Sequence, residues 1–161
     1  MIEHTDLFYL NIGETIKESG RQIIGIGPEK KKPGFYYTIG NHLKDAPEFL
    51  MIGNIEPVMA QMILNMISDL AVQQKGGFAS GHKLKLHKQG HPVQIWNTTV
   101  VAKLEYTRQA TEYYQHGDYL VQQIVLPDEK GRYPGERNCQ TKYRVPVLRA
   151  TTEIMSSIAL H

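Results

Sequence analysis

Cysteine and tryptophan are nearly absent: Cys139 and Trp96 are the sole examples in 161 residues. A lone cysteine excludes an internal disulfide and suits a reducing, cytoplasmic setting. No staple is needed either, because a folded chain of this length buries roughly two-thirds of its extended surface. No apolar run approaches the roughly 18 residues of a membrane span. The opening MIEHTDLFYLNIGETIKE carries acids where a secretory leader needs a basic start and an apolar stretch. Excess charge is missing too, since 18 Lys plus Arg against 16 Asp plus Glu leave +2. That balance excludes a histone-like nucleic-acid binder and an acidic disordered tail. The P-loop, G-x-G-x-x-G, G-x-S-x-G and H-E-x-x-H signatures are also absent. Without repeats, low-complexity tracts or a Pro/Ser-rich linker, the expectation is one continuous domain, 1–161.

The patterns that are present predict an α+β fold. Leu7 to Ser19 reads as a helix ending at Gly20, where a missing Cβ permits a left-handed cap. Arg21 to Ile26 and Phe35 to Ile39 read as strands, the second aromatic and β-branched. Phe49 to Ile52 is continuously apolar, as in a central strand covered on both faces. Val58, Met59, Met62, Ile63, Met66, Ile67 and Leu70 then repeat at helical spacing, with Gln61, Asn65, Ser68 and Asp69 largely opposite. This helix is expected to lay its Met-rich face across the sheet. Asn54 or Glu56 is expected to cap it, Pro57 falls in its first turn, and Gly76-Gly77 stop it. Alternation over Lys83 to His87, then Val93 to Trp96, Thr98 to Leu104 and Tyr119 to Leu126, predict further strands. Tyr106 to His116 suits a surface helix. The tail after about residue 150 carries no structural signal. The sum is a mostly antiparallel or mixed sheet covered by one long amphipathic helix and a shorter one.

Charge is unevenly placed. Between Asp69 and Glu105 lie 35 residues with five lysines and no acid, together with His82, His87 and His91. An anion-binding surface is the functional reading, and an edge strand guarded by lysines is the structural one. Histidine spacing H-x4-H-x3-H brings no Asp, Glu or Cys into a recognised ligand set, so no metal and no cofactor are expected. The densest polar segment, DEKGRYPGERNCQTKYR, begins at Asp128. Arg132 and Arg137 have the forked donors that grip a phosphate or carboxylate, and Tyr133 could stack on a ring. The alternative is a hairpin tip whose arginines pair with Asp128, Glu129 and Glu136. Cys139 beside arginines could be an activated nucleophile, but an inert buried thiol is the simpler reading. The Glu14/Glu18 and Asp45/Glu48 pairs have helix-compatible spacing of a kind common on surfaces. GIGPEKKKPG lacks the Lys-Ser/Thr ending of a phosphate loop and reads as a connector.

Three motifs in order resemble a bacterial and phage family known only as a domain of unknown function. They are I-G-x-G-P with P-G-F-Y-Y-T-I-G at Ile24 to Gly40, P-E-F-L-M-I-G-N-I-E-P at Pro47 to Pro57, and Q-I-V-L-P-D-E-K-G-R-Y-P-G-E at Gln123 to Glu136. Together they cover most of the span from Gly20 to about Glu136. Members tend to carry Leu after the first T-x-G and a Pro-type turn after the second strand. Asn41 and Asn54 stand there instead, which puts an ancestral site at those positions in question. The resemblance implies a compact cytoplasmic α+β domain without an established reaction. It also draws Tyr37, Thr38, Asp128, Gly131 and Arg132 together as the rim of one pocket, should the strands ending at Ile39 and Leu126 lie side by side.

The preferred expectation is a binding protein for a small anionic, nucleotide-like ligand, with Tyr37, Thr38, Arg132, Tyr133 and Arg137 as its contacts. In a phage setting such capture would counter a host nucleotide signal. A second reading is a phosphoester or glycosidic hydrolase, with His87 or His91 as acid/base and Asp128 or Glu136 as partner carboxylate. A third is a protein-interaction module that presents Lys83, Lys85 and Lys88 to an acidic host factor. Nucleic acid is not favoured as a partner, no membrane is expected, and exposed strands leave a homodimer open.

Overall fold

The computed structural model describes residues 4–150, so the expectation for the tail after about 150 lies outside the described residues. The elements run in the order α1 (His4–Ser19), β1 (Gln22–Ile26), β2 (Phe35–Ile39), β3 (Glu48–Ile52), α2 (Pro57–Gln74), β4 (His82–Leu84), β5 (Val93–Asn97), α3 (Val100–Tyr106), α4 (Arg108–Tyr114) and β6 (Val121–Val125). One six-stranded sheet has the order β1-β2-β3-β6-β5-β4. Only β3 and β6 pair in parallel, with Glu48 opposite Val121 and Leu50 opposite Gln123. The other neighbours are antiparallel. The chain is therefore α+β with a mixed sheet, as its patterning predicts.

Side-chain alternation sends each strand into two cores. From β3, Leu50 and Ile52 join Ile12 of α1, Ala110 of α4, Tyr37, Ile39 and Tyr119. Phe49 and Met51 point the other way, against Leu64, Ile67 and Ala71 of α2 and Ile95 of β5. Every residue of β3 and β6 is buried, which accounts for the continuous apolar run at Phe49 to Ile52. The result is three layers: α2 on one face, the sheet, and α1, α3, α4 and the segment around Val145 to Leu148 on the other.

Three sequence expectations are corrected here. Thr98 to Leu104 is not a strand: α3 begins at Val100, because the Thr99 side chain accepts a hydrogen bond from Ala102 N at 3.1 Å. That cap outweighs the strand preference of Val100 and Val101. Helix α2 exists where its periodicity places it, but it is rotated from the expected orientation: Ile63 and Ile67 of the expected face pack inward, and the rest of that face does not. Ala60, Leu64, Ile67, Ser68 and Ala71 face the sheet, while Val58, Met59, Met62, Met66 and Leu70 point outward. Apolar residues occupy two sides of this helix, and the side that combines Leu64 and Ile67 with the small residues Ala60, Ser68 and Ala71 is the one buried. No side chain caps its start, and Asn54 accepts from Gly34 N at 3.1 Å instead. Its left-handed end falls on Lys75, at φ 55°, one residue before Gly76.

This orientation predicts an asymmetric response to truncation. Leu64→Ala should lower the unfolding free energy by about 2–5 kcal/mol through the cavity it opens. Met66→Ala should change it by no more than about 0.5 kcal/mol in dilute protein. Urea melts of the two variants would reject the orientation if their losses were equal.

Candidate functional site

The residues proposed from sequence fall at three separate places. Strands β2 and β6 leave the sheet in opposite directions, since Phe35 pairs with Ile52 while Glu48, at the opposite end of β3, pairs with Val121. Ile39 and Leu126 therefore lie at opposite ends, and the single rim joining Tyr37 and Thr38 to Asp128 and Arg132 is not formed.

Tyr37 and Thr38 are both buried. The Tyr37 hydroxyl donates to the Gln109 side chain and accepts from Gln109 N at 3.2 Å. Burial pushes its pKa up. Thr38 donates to Glu48 Oε1 at 2.8 Å and accepts from Phe49 N at 3.0 Å. Both serve the interior rather than a ligand.

The Asp128 to Arg144 segment is folded around Asp128. One carboxylate oxygen accepts from Lys130 N at 3.0 Å and Arg132 N at 2.8 Å. The other accepts from Arg132 Nε at 2.9 Å and Gln140 N at 3.1 Å. Burial alone would raise this pKa, but the hydrogen bonds from Arg132 N, Gln140 N, the Arg132 side chain and Lys130 N outweigh it and hold it at about 2. Such saturation leaves Asp128 poorly suited to accept a proton from substrate. Arg132 is engaged by the same carboxylate, as in the hairpin-tip alternative. Tyr133 is buried, donates to Pro92 O at 2.6 Å, and has Lys83 Nζ over its ring at 5.5 Å. Glu136 accepts from Tyr133 N at 3.0 Å, and Arg137 is exposed. His91 packs its ring over Gly131, and His87 packs over Gly90. Cys139 is buried, and burial followed by the nearby Asp128 charge pushes its thiol pKa up, contrary to nucleophile activation. Among the described residues, no group of three or more His, Cys, Asp or Glu could hold a metal ion. Among them too, no helix is long and apolar enough to cross a membrane.

Two features lay beyond the sequence reading. The first is Glu48, which belongs to no surface pair: it is fully buried. It accepts from Thr38, from Gly40, Asn41 and His42 N–H groups, and from Tyr114. Burial pushes its pKa up, and the bonds from Tyr114, His42 N, Thr38 and Asn41 N oppose that rise.

The second is a cleft of about 620 Å³ at the opposite end of the sheet, beyond the carboxyl ends of β1 and β3. Gly25, Gly27, Gly34 and Gly53 line it together with Tyr36, Asn54, Glu56 and Lys142. Close approach requires glycine at position 34, where a Cβ would lie 2.8 Å from Ile26 O. Gly53 has φ +137°, a conformation that side chains rarely adopt. Gly53 N donates to Gly34 O at 2.8 Å, and Tyr36 donates to Ile55 O at 3.0 Å, so both walls are fixed. Helix α2 starts just after Glu56 without a side-chain cap, which leaves its positive dipole end beside the cleft. The sequence signal was the I-G-x-G-P and I-G-N-I-E-P motifs. The first reads as a connector in sequence because Gly53, which lines the same cleft, follows a strand that is distant in sequence.

Fold and site define an α+β domain with a mixed six-stranded sheet and a glycine-lined cleft at one of its ends. The chain belongs to the family described as Domain of unknown function (DUF4262), whose match spans residues 15–140. No curated protein and no solved structure matches it.

The two buried carboxylates predict pH effects of opposite sign. Glu48 has a pKa raised above its ordinary 4.5, so its contribution is complete below that value and is lost as pH rises through the folded pKa. Glu48→Gln should remove this decline from a plot of urea midpoint against pH, and an unchanged slope would reject the assignment. Asp128 is held at about 2 against an ordinary 3.8, so its contribution is present above 3.8 and is lost as pH falls toward 2. Asp128→Asn should flatten that acid limb in thermal melts. Retention of the wild-type limb would show that another group supplies it.

Proposed function

We propose that this protein binds a small anionic ligand of nucleotide size in the glycine-lined cleft. The observation that carries this reading is the convergence of Gly25, Gly27, Gly34 and Gly53 on one volume of about 620 Å³. Small-ligand sites typically occupy about 300–1,000 Å³, and in open sheets they favour the carboxyl ends of strands. Gly34 N and Gly53 N are bonded to Asn54 Oδ1 and Gly34 O, so the glycine walls supply close approach to the backbone rather than free donors at those two positions. Lys142 lies on the wall and supplies positive charge. Lys30, Lys31 and Lys32 are exposed on the adjoining β1–β2 loop, and they outnumber the nearby acids Glu29 and Glu56. The Tyr36 ring gives the same wall an apolar surface for a planar group.

This reading moves the ligand contacts away from Arg132, Tyr133 and Arg137, whose surroundings resemble a packed loop. The capture of an anion remains the activity, with no reaction attached to it. Isothermal titration and thermal-shift measurements with ATP, AMP, a cyclic dinucleotide, ADP-ribose and inorganic phosphate would test it. At least one of these probes should bind. Lys142→Ala should weaken that probe about tenfold, or ~1.4 kcal/mol. Gly27→Leu should block it, and a Cβ at Gly27 meets no atom within 4 Å, so the fold should tolerate the change. Arg137→Ala should leave affinity unchanged. Silence across the panel, or binding indifferent to both cleft variants, would overturn the proposal.

A further inference from the structure

The outward side of α2 is the least expected surface of the molecule. Val58, Met59, Met62, Met66 and Leu70 are 62%, 52%, 61%, 42% and 39% exposed. They form one stripe about 18 Å long, taking 1.5 Å per helical residue. The same helix already buries Leu64 and Ile67 against the sheet, so it is apolar on two sides. A helix with that pattern is normally sandwiched between layers. Contiguous exposed apolar surface of this kind marks contact sites, and methionine is enriched at interfaces because its flexible thioether adapts to a partner.

We infer that this stripe is the contact between two copies of the chain, packed as antiparallel α2 helices about a two-fold axis. Three observations select a second copy. Four of the five stripe residues pair by reflection: about residue 64, Val58 reflects onto Leu70 and Met62 onto Met66, while Met59 reflects onto Asp69. In an isologous interface residue i meets residue j and j meets i, so a near-symmetric stripe sets apolar residues against apolar residues across the axis. Charge is the second observation. Between Pro57 and Gln74 the single charged residue is Asp69, and Arg21 Nη2 holds it at 2.8 Å. Nothing on the face repels its own image, and no free charge selects an acidic or basic partner. The third lies at the helix ends, where exposed Glu56 precedes α2 and exposed Lys75 follows it. Antiparallel packing about residue 64 leaves Glu56 of each copy three residues, about 4.5 Å along the axis, from Lys75 of the other, within reach of the long lysine side chain, and it also opposes the two helix dipoles favourably. Any pairing through the strand edges is replaced by pairing through a helix.

One helical stripe is smaller than the roughly 800 Å² that each partner contributes to a standard stable interface. The dimer is therefore reversible and concentration-dependent. Sedimentation velocity of the full chain, from low to high micromolar, should show conversion from monomer to a species of twice that mass. Met62→Asp with Met66→Asp should abolish the conversion while leaving the circular-dichroism melt intact. Should that variant unfold, Met62→Gln with Met66→Gln gives the milder form of the same test. Glu56→Lys should weaken association at least several-fold, and adding Lys75→Glu should restore it. A wild-type chain that stays monomeric throughout would overturn the inference. So would a dimer that survives loss of both methionines, or a charge swap that fails to restore pairing.

Discussion

The Glu48 carboxylate, completely buried where β2 turns into β3, is the constraint on which the surrounding architecture depends. Gly40, Asn41 and His42 aim their N–H groups at it from the turn, Thr38 donates from β2, and Tyr114 donates from α4. A buried carboxyl group would be costly without such partners. Its presence therefore forces the turn Asn41–Lys44 into one conformation. Asn41 carries the constraint outward, donating to Ser68 of α2 at 2.8 Å and to Pro47 O at 3.1 Å, and accepting from Arg21 Nε at 2.9 Å. Arg21 then reaches Asn65 and Asp69 on the outer turns of α2. Five segments on both faces of the sheet are tied through one acid. Asn41 stands at the junction of the layers.

The central strand β6 uses amides in a comparable way. Gln122 donates to Phe78 O at 2.6 Å and accepts from Phe78 N at 3.0 Å, imitating one step of a strand ladder. Gln123 points to the opposite face, donating to Pro146 O and accepting from Leu148 N, both at 2.7 Å. Each amide thus clamps a chain segment that has no strand of its own to join. Alternation along β6 decides which segment goes to which face. Two successive polar residues in an apolar run are therefore compatible with the middle of the sheet, because each is fully partnered.

Strands were legible because each carries a local pattern: FYYTI, FLMI and YLVQQIVL need no knowledge of their neighbours. Helix α2 was legible as a helix for the same reason. Its direction of burial was not, because periodicity reports which residues share a side and not which side meets the sheet. Ala60, Ser68 and Ala71 carry little hydrophobic weight yet permit close packing, while Met59, Met62 and Met66 carry much and stay outside. Glu48 was hidden by its type, since acids are rarely buried and nothing local announces five donors converging on one. The arginine-rich loop was misleading in the opposite sense. Its residues suggest anion capture, but Asp128, four positions before Arg132, supplies the anion internally. Glycines of the cleft could be seen individually, but their convergence depends on the β1–β2–β3 register.

The polarity of the sheet explains why the cleft sits where it does. At the Glu48 end, buried charge demands saturating hydrogen bonds, so the backbone N–H groups of Gly40, Asn41 and His42 all point inward to one internal acceptor. A ligand there would compete with Glu48 for the same donors. At the other end of β3 the chain passes through Gly53, whose conformation leads from the sheet to α2 without a side chain filling the space. Asn54 and Tyr36 brace that passage through the backbone of Gly34 and Ile55, so rigidity is obtained without closing the opening. The same arrangement leaves α2 uncapped beside the cleft and exposes its second apolar side beyond it. Hydrogen bonding at one end of β3 is thus spent on Glu48, and the other end opens into the cleft beside the start of α2.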